Sequence, residues 1–298
     1  MTYFEQIVSD IKRERAKSAP EKTQQRSLAF VVGLLALLLP VVLYLGPIAF
    51  YGCKRYSISH FYYSPFWGSF FIAVLAFIGT YMLTYTSTRK DEMVVAKGGG
   101  ICAFLVAFLP ASGHGCLNPE GGDFRARAFS EFDVLAGGKT LLTTDPASAD
   151  YFKLTRDGQP VELLGMPLTG ILPHLHYFSA GVLFLGLVYF CFFIFTRRAA
   201  YHEKEDNKGQ HDDPRTGIKK IRDAIYRLCG SLIVISIVVL GMNFAFGDPS
   251  VTSEWNQNRR TFFWEAVALC AFGLSWLLKG RFYEPPLEWL GYLPRRPK

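Results

Sequence analysis

The sequence predicts an all-α membrane protein: a six-transmembrane-helix bundle with a small β-containing outer insertion between helices 3 and 4. Three observations predict it. Six apolar segments of 18–23 residues punctuate the chain, ionisable residues collect at their ends, and 19% of all residues are charged while 50% are hydrophobic. Soluble proteins carry about 25% charged residues. A helix of about 20 residues crosses a hydrocarbon core of roughly 30 Å. Helices are the default there, because backbone N–H and C=O groups find no water to bond.

Residues 1–27 read as a cytoplasmic interfacial helix and linker. Tyr3, Phe4, Ile7, Val8 and Ile11 recur at helical spacing and form one apolar stripe ahead of a basic run. The same stripe suits a helix packed against the bundle. Residues 28–110 hold the first three spans, Leu28–Phe50, Phe66–Tyr85 and Met93–Pro110. The first is read as a retained span, since Gly46-Pro47 makes a poor cleavage site for a leader. Pro65 suits the first turn of the second helix, where a missing N–H costs nothing. The turn between the second and third spans is short, so these two helices are expected to be antiparallel neighbours. Gly98-Gly99-Gly100 permits close approach of the third helix to a neighbour.

Residues 111–173 form the extracytoplasmic insertion. Phe124–Val134, Tyr151–Thr155 and Val161–Leu164 are its candidate strands, the last two separated by the turn signal Asp157-Gly158. Residues 174–280 carry the remaining spans, His174–Phe195, Leu228–Phe246 and Phe262–Lys279, with a cytoplasmic loop at 197–227. Residues 281–298 are a basic tail with Trp289 and Tyr292, expected at the inner interface.

Lys and Arg set the orientation. Of 32, 22 fall on the side of the two termini and nine on the other, with Lys97 inside a span. By the positive-inside rule both termini are cytoplasmic, and the expected location is the plasma (inner) membrane. The net charge of +7 is accounted for by these flanking residues. It points to membrane lipids as partners and not to nucleic acid.

The chemistry-bearing residues gather on the outer side. His60, His114, His174 and His176 all map there. Glu265 lies about one turn into the last span, where an ionisable group must face protein, water or a partner; Arg259, Arg260 and the histidines are its candidate partners. Asn243 and Asp248 close the fifth span. These residues admit two readings. Ser59, His60, Tyr63, His176, Asn243 and Glu265 can line a polar pocket for a lipid headgroup. Alternatively His60, His114, His174 and His176 ligate zinc or copper in a metal-dependent hydrolase or oxidase, with Glu265 as ligand or base. Ser57, Ser59 and Ser64 neighbour His60, but adjacency in sequence gives no triad geometry. Cys53 and Cys116 fall outside the membrane on the same side, either as a disulfide or as two free thiols. No phosphate-binding or dinucleotide-binding glycine motif is present in the right context, and no inverted repeat supports energy-coupled transport. A third reading is an accessory subunit, with a membrane protein or a second copy as partner.

Ile58-Ser59 followed by Pro65 and Phe70, His176 with Ser179, Ala180 and Gly181, and Glu265 in the last span together resemble a known family. The order of these features is similar to the six-helix superfamily of the DRAM autophagy modulators, the Sfk-type proteins and the PGAP proteins of GPI-anchor remodelling. Bacterial members look closer, with a similar Ile-Ser-x-x-Tyr-Tyr-x-Pro stretch (58–65) and a similar Phe-Trp-Glu-Ala start (263–266) to helix six. The chain departs from eukaryotic members in its long insertion and in lacking their Gly after the Ser. The resemblance implies a lipid-linked role in sensing, scaffolding or remodelling, and no catalytic mechanism.

Overall fold

The computed structural model describes residues 3–16, 20–51, 55–87, 89–111, 140–143, 153–156, 159–160, 162–163, 166–197, 217–247 and 254–294. They are predominantly helical: α1 (Tyr3–Ala16), α2 (Pro20–Tyr51), a 3₁₀ turn (Ser59–Tyr63), α3 (Pro65–Thr84), α4 (Lys90–Phe108), α5 (Leu168–Tyr189) running on into a π turn (Phe190–Ile194), α6 (Gly217–Phe246), α7 (Arg260–Lys279) and α8 (Glu284–Trp289). Pro65 occupies the first turn of α3, as its fixed φ and missing N–H favour.

Five helices are long and apolar enough to cross a membrane: Gln25–Ala49, Phe66–Thr84, Ile171–Ile194, Ile218–Phe246 and Arg260–Lys279. This is compatible with a multi-pass membrane protein. The expected third span, Met93–Pro110, is not among them. It folds as α4, but Lys90, Asp91, Glu92 and Lys97 lower its apolar character. α4 is nonetheless packed between α3 and α5.

The helices α2 to α7 form a closed ring in chain order, each packing on the next and α7 returning to α2. Contacts at the two ends show the up-and-down path. At one end the Tyr62 hydroxyl, just before α3, donates to the Phe108 carbonyl at the close of α4, 3.2 Å away. At the other, Gln25 at the start of α2 donates to Thr86 beyond α3 (2.8 Å), and Lys219 of α6 donates to the Phe195 carbonyl (3.1 Å).

α2 shows how such a helix divides its faces. Val32, Ala36, Leu39 and Leu43 are buried at helical spacing, while Leu34, Leu38, Val41 and Leu45 are exposed. A helix apolar on both faces belongs between a core and lipid. Where helices touch, glycines bring backbones together. A Cβ on Gly33 would lie 2.7 Å from the Gly273 carbonyl, and one on Gly273 2.7 Å from the Gly33 carbonyl, so α2 and α7 meet at a mutual glycine contact. Gly100 meets the Gly79 carbonyl in the same way between α4 and α3, at 2.8 Å. Within the expected glycine run, Gly99 and Gly100 face neighbours and Gly98 meets nothing.

Trp276 fills the ring's interior, edge-on to Tyr81 (5.3 Å), Tyr85 (6.2 Å) and Phe195 (5.3 Å) and tilted against Phe190 (5.6 Å). α1 buries Val8 and Ile11 against Ile218 and Leu293, so its stripe packs on the bundle. Tyr3 and Phe4 remain exposed. Arg281, at φ 57, turns the chain from α7 into α8, and its guanidinium pairs with the buried Glu284 at 2.9 Å.

Among the described residues five short strands form two antiparallel sheets: Lys153–Arg156 pairs with Thr140–Thr143 on one side and Gln159–Pro160 on the other, and Glu162–Leu163 pairs with Met166–Pro167. Ladders of this size do not make a domain that is stable by itself, so the expected β-containing insertion is not established by them. The candidate strand Phe124–Val134 and the Cys53–Cys116 pairing lie outside the described residues. Cys102, Cys191, Cys229 and Cys270 are free thiols in or beside the helices.

Two outcomes are expected. Replacing Gly273 by Leu forces α2 and α7 apart. Overpacking of this kind costs about 1–3 kcal/mol, to be read as a lower midpoint of unfolding in detergent, with Gly98→Leu as the neutral control. Separately, the Arg197 guanidinium bonds the Asp91 carboxylate and holds it below its ordinary 3.8. That tether between α4 and the end of α5 is complete above the ordinary carboxylate value and is lost as pH falls through the lowered one. Asp91→Asn should therefore erase the acid-induced loosening of this end, measured by hydrogen exchange across 89–97.

Candidate functional site

One end of the ring collects the polar side chains that the apolar helices otherwise exclude. The segment between α2 and α3 runs across this end as Arg55-Tyr56-Ser57-Ile58 and the 3₁₀ turn. Glu265 of α7 reaches it. Both carboxylate oxygens accept from the Ser57 hydroxyl, at 2.8 and 2.9 Å, and one accepts the Ile58 N–H at 2.6 Å. One turn earlier the Phe262 N–H donates to the Tyr56 carbonyl at 2.8 Å. Among the described residues Glu265 thus pairs with neither Arg259, Arg260 nor a histidine; it is held by neutral donors of the connecting segment.

The Ser57 oxygen also accepts the Ser59 N–H, at 3.1 Å. This fixes Ser59 at the head of the 3₁₀ turn. Its hydroxyl lies 3.1 Å from Nε2 of His176, whose Nδ1 lies 2.9 Å from the Leu109 carbonyl. A carbonyl can only accept, so Nδ1 carries the proton. Nε2 of the neutral ring then has a lone pair, and the Ser59 hydroxyl donates to it. The result is a directed chain: Ser59 hydroxyl to imidazole, imidazole N–H to backbone carbonyl. It joins the 3₁₀ turn, α5 and the exit of α4. His176 is 1% exposed, whereas Ser59 is partly open. Ser179, one turn further along the His176 face, is also buried, and its hydroxyl has no hydrogen-bond partner among the described residues.

Beside this network lies a recess lined by Leu43, Tyr44, Ile48, Arg55, Phe61, Arg259 and Phe262. The Arg259 guanidinium stands 5.0 Å from the centre of the Tyr44 ring, and that of Arg55 5.5 Å from the Phe61 ring. Arg55 also donates to the His60 carbonyl at 2.9 Å, linking the recess to the turn that bears Ser59. Arg259 caps α7 in the left-handed region, at φ 50, which a side chain with a Cβ adopts at a cost.

Of the residues expected from sequence, Ser59, His176 and Glu265 are brought into one hydrogen-bonded network through Ser57. His60 contributes its carbonyl. Tyr63 lies in the 3₁₀ turn, but its side chain is outside the described residues. Asn243, near the end of α6, is partly buried and makes no hydrogen bond to the network among the described residues. His174 and His176, two apart on one helix, face different ways: His174 is exposed and His176 buried. His114 lies outside the described residues, and among those described no three His, Cys, Asp or Glu side chains gather as metal ligands.

Sequence reasoning missed Arg55 and the anchoring role of Ser57, and read Arg259 only as a candidate partner of Glu265. Arg55 and Arg259 look like ordinary flanking charges in the sequence, and only the return of α7 to α2 brings them to one recess. Comparison with known proteins finds no matching family model, and no match among curated proteins or solved structures.

Removing the Glu265 carboxylate leaves the Ser57 hydroxyl and Ile58 N–H unpaired, a loss of about 1–3 kcal/mol. Glu265→Ala is expected to lower the unfolding midpoint in detergent more than Glu265→Gln, which keeps an acceptor for both donors. Equal midpoints for wild type and Glu265→Ala would show that the carboxylate does not organise this end.

Proposed function

We propose that the chain is a lipid-associated multi-pass membrane protein whose polar end binds a phosphate-bearing lipid headgroup. The observation that carries this is a shallow recess of about 10 Å³ where Arg55 and Arg259 stand against an aromatic and aliphatic wall, room for a phosphate oxygen with the rest of the headgroup outside it. Guanidinium groups match phosphate oxygens in a two-pronged geometry, and stacking on Tyr44 and Phe61 orients both. Tyr44 and Ile48 are exposed along α2, so acyl chains can lie beside that helix while the headgroup sits at its end.

In this reading α4 is the sixth crossing, paired within the ring by α3 and α5. The Lys- and Arg-rich ends face the cytoplasm, and the headgroup site lies on the outer leaflet of the plasma (inner) membrane. The proposed kinship with the DRAM, Sfk and PGAP superfamily rests on Ile58-Ser59, His176 and Glu265, three positions that meet in one network. Zinc or copper chemistry finds no supporting arrangement among the described residues.

The test is lipid retention. Purified protein is incubated with phosphatidylglycerol or with diacylglycerol, and bound lipid is counted by native mass spectrometry. Wild type is expected to keep phosphatidylglycerol selectively, and Arg259→Gln to weaken it at least about tenfold, the loss of one charge-assisted bond. Equal retention by wild type and variant, or no preference for the phosphate, would overturn the proposal.

A further inference from the structure

We propose that Ser59 is a nucleophile, activated by His176, that takes an acyl group from a lipid ester. For its substrate this rests on the headgroup reading above; for its chemistry it rests on the geometry of the turn. Three features set it apart from a hydrogen bond that merely ties the turn to α5.

The first is direction. The Leu109 carbonyl fixes the proton on Nδ1 and so turns the free lone pair of Nε2 to the Ser59 hydroxyl, 3.1 Å away. Nucleophilic serines require this tautomer, and a third group to hold it. A backbone carbonyl fills that position here, and it stabilises the imidazolium when the ring takes a second proton. The second feature is exposure. The imidazole is buried while Ser59 as a residue is partly open, two positions before Phe61, which lines the recess of the two arginines. The third is preorganisation. The Ser59 N–H is spent on the Ser57 oxygen, and Ser57 is in turn fixed by Glu265, so the hydroxyl is presented by a backbone fastened on both sides.

The reaction balances without a metal or an oxidant. The Ser59 oxygen attacks the ester carbonyl carbon as its proton passes to Nε2. The bond from that carbon to the alcohol oxygen then breaks, and the departing alcohol takes the proton from the imidazolium. Ser59 is left as an acyl ester. Water attacks that ester, gives a proton to Nε2, and releases the carboxylic acid as Ser59 regains its hydrogen. Ser59 and His176 are the catalytic residues; Ser57 and Glu265 position them.

The test uses the full chain in detergent with a fluorophosphonate probe, followed by peptide mass spectrometry. The expected result is a covalent adduct on Ser59 in wild type and none in Ser59→Ala. His176→Gln is expected to slow labelling by about 10²-fold or more, the usual share of a general base. A structural tie alone would not make the hydroxyl reactive. Ser57→Ala, with unfolding midpoints for every variant, separates lost positioning from lost folding. Phosphatidylglycerol retention is measured on the same samples. Retention without labelling overturns the nucleophile and leaves the headgroup site standing. Labelling without retention overturns the arginine recess and leaves the nucleophile.

Discussion

The Glu265 carboxylate and the two donors that hold it set the rest of this end of the protein. An ionisable group inside an otherwise apolar helix is tolerated only where something compensates it. Here, among the described residues, the compensation comes from the segment after α2: the Ser57 hydroxyl and the Ile58 N–H. α7 therefore docks in one register against that segment, and the backbone bond from Phe262 to Tyr56 fixes the same register again. With the segment anchored, Ser59 has one place to be, and the path through His176 to Leu109 ties α5 and α4 to it. A single charged side chain thus sets the relative positions of five of the six helix ends.

This anchoring works only because the helices approach closely. Lipid gives little drive for apolar helices to pack on one another, so association depends on contact distance and on small residues. Gly68 near the start of α3 lies directly under the 3₁₀ turn, where a Cβ would stand 2.7 Å from both the Phe61 and Tyr62 carbonyls. Gly33 with Gly273 and Gly79 with Gly100 do the same lower in the ring. Without Gly68 the turn would lift, and the distance from Ser59 to His176 would grow with it.

The helical class and the boundaries of most elements were legible in the sequence because apolar length and Pro65 are local signals. The third expected span, Met93–Pro110, folds as a helix but does not stand out by apolar length, because Lys90, Asp91, Glu92 and Lys97 gather at the start of α4 and three glycines add little hydropathy. Ser59, His176 and Glu265 were recognisable as polar residues at the end of apolar runs. Their connection was not, because it runs through Ser57 and the backbone at Ile58 and Leu109. Backbone groups carry no sequence signature. Arg55 was hidden by its own plausibility, since flanking charges are what a membrane protein is expected to carry, and Arg259 was assigned to Glu265 and not to a recess with Arg55. The pairing of His174 with His176 fails on geometry alone: residues two apart on a helix do not face the same way.

The two ends of the ring spend polarity differently. At the end with the chain termini the charged contacts include a partly exposed pair, Asp91 with Arg197, and an i to i+4 pair, Lys219 with Asp223 at 2.5 Å. The partly exposed Asp91–Arg197 pair contributes little to stability and costs little to keep, whereas Lys219–Asp223 is largely buried. At the other end a carboxylate, two hydroxyls and an imidazole are joined into one chain, with Ser179 left buried and unbonded among the described residues. Apolar residues of the same volume would often hold the helices together as well or better, because a polar network inside low-dielectric surroundings must satisfy every member. Stability alone does not account for so demanding an arrangement. The proposed nucleophile, a serine hydroxyl hydrogen-bonded to an imidazole whose other nitrogen is held by a backbone carbonyl, would give it a purpose that packing does not.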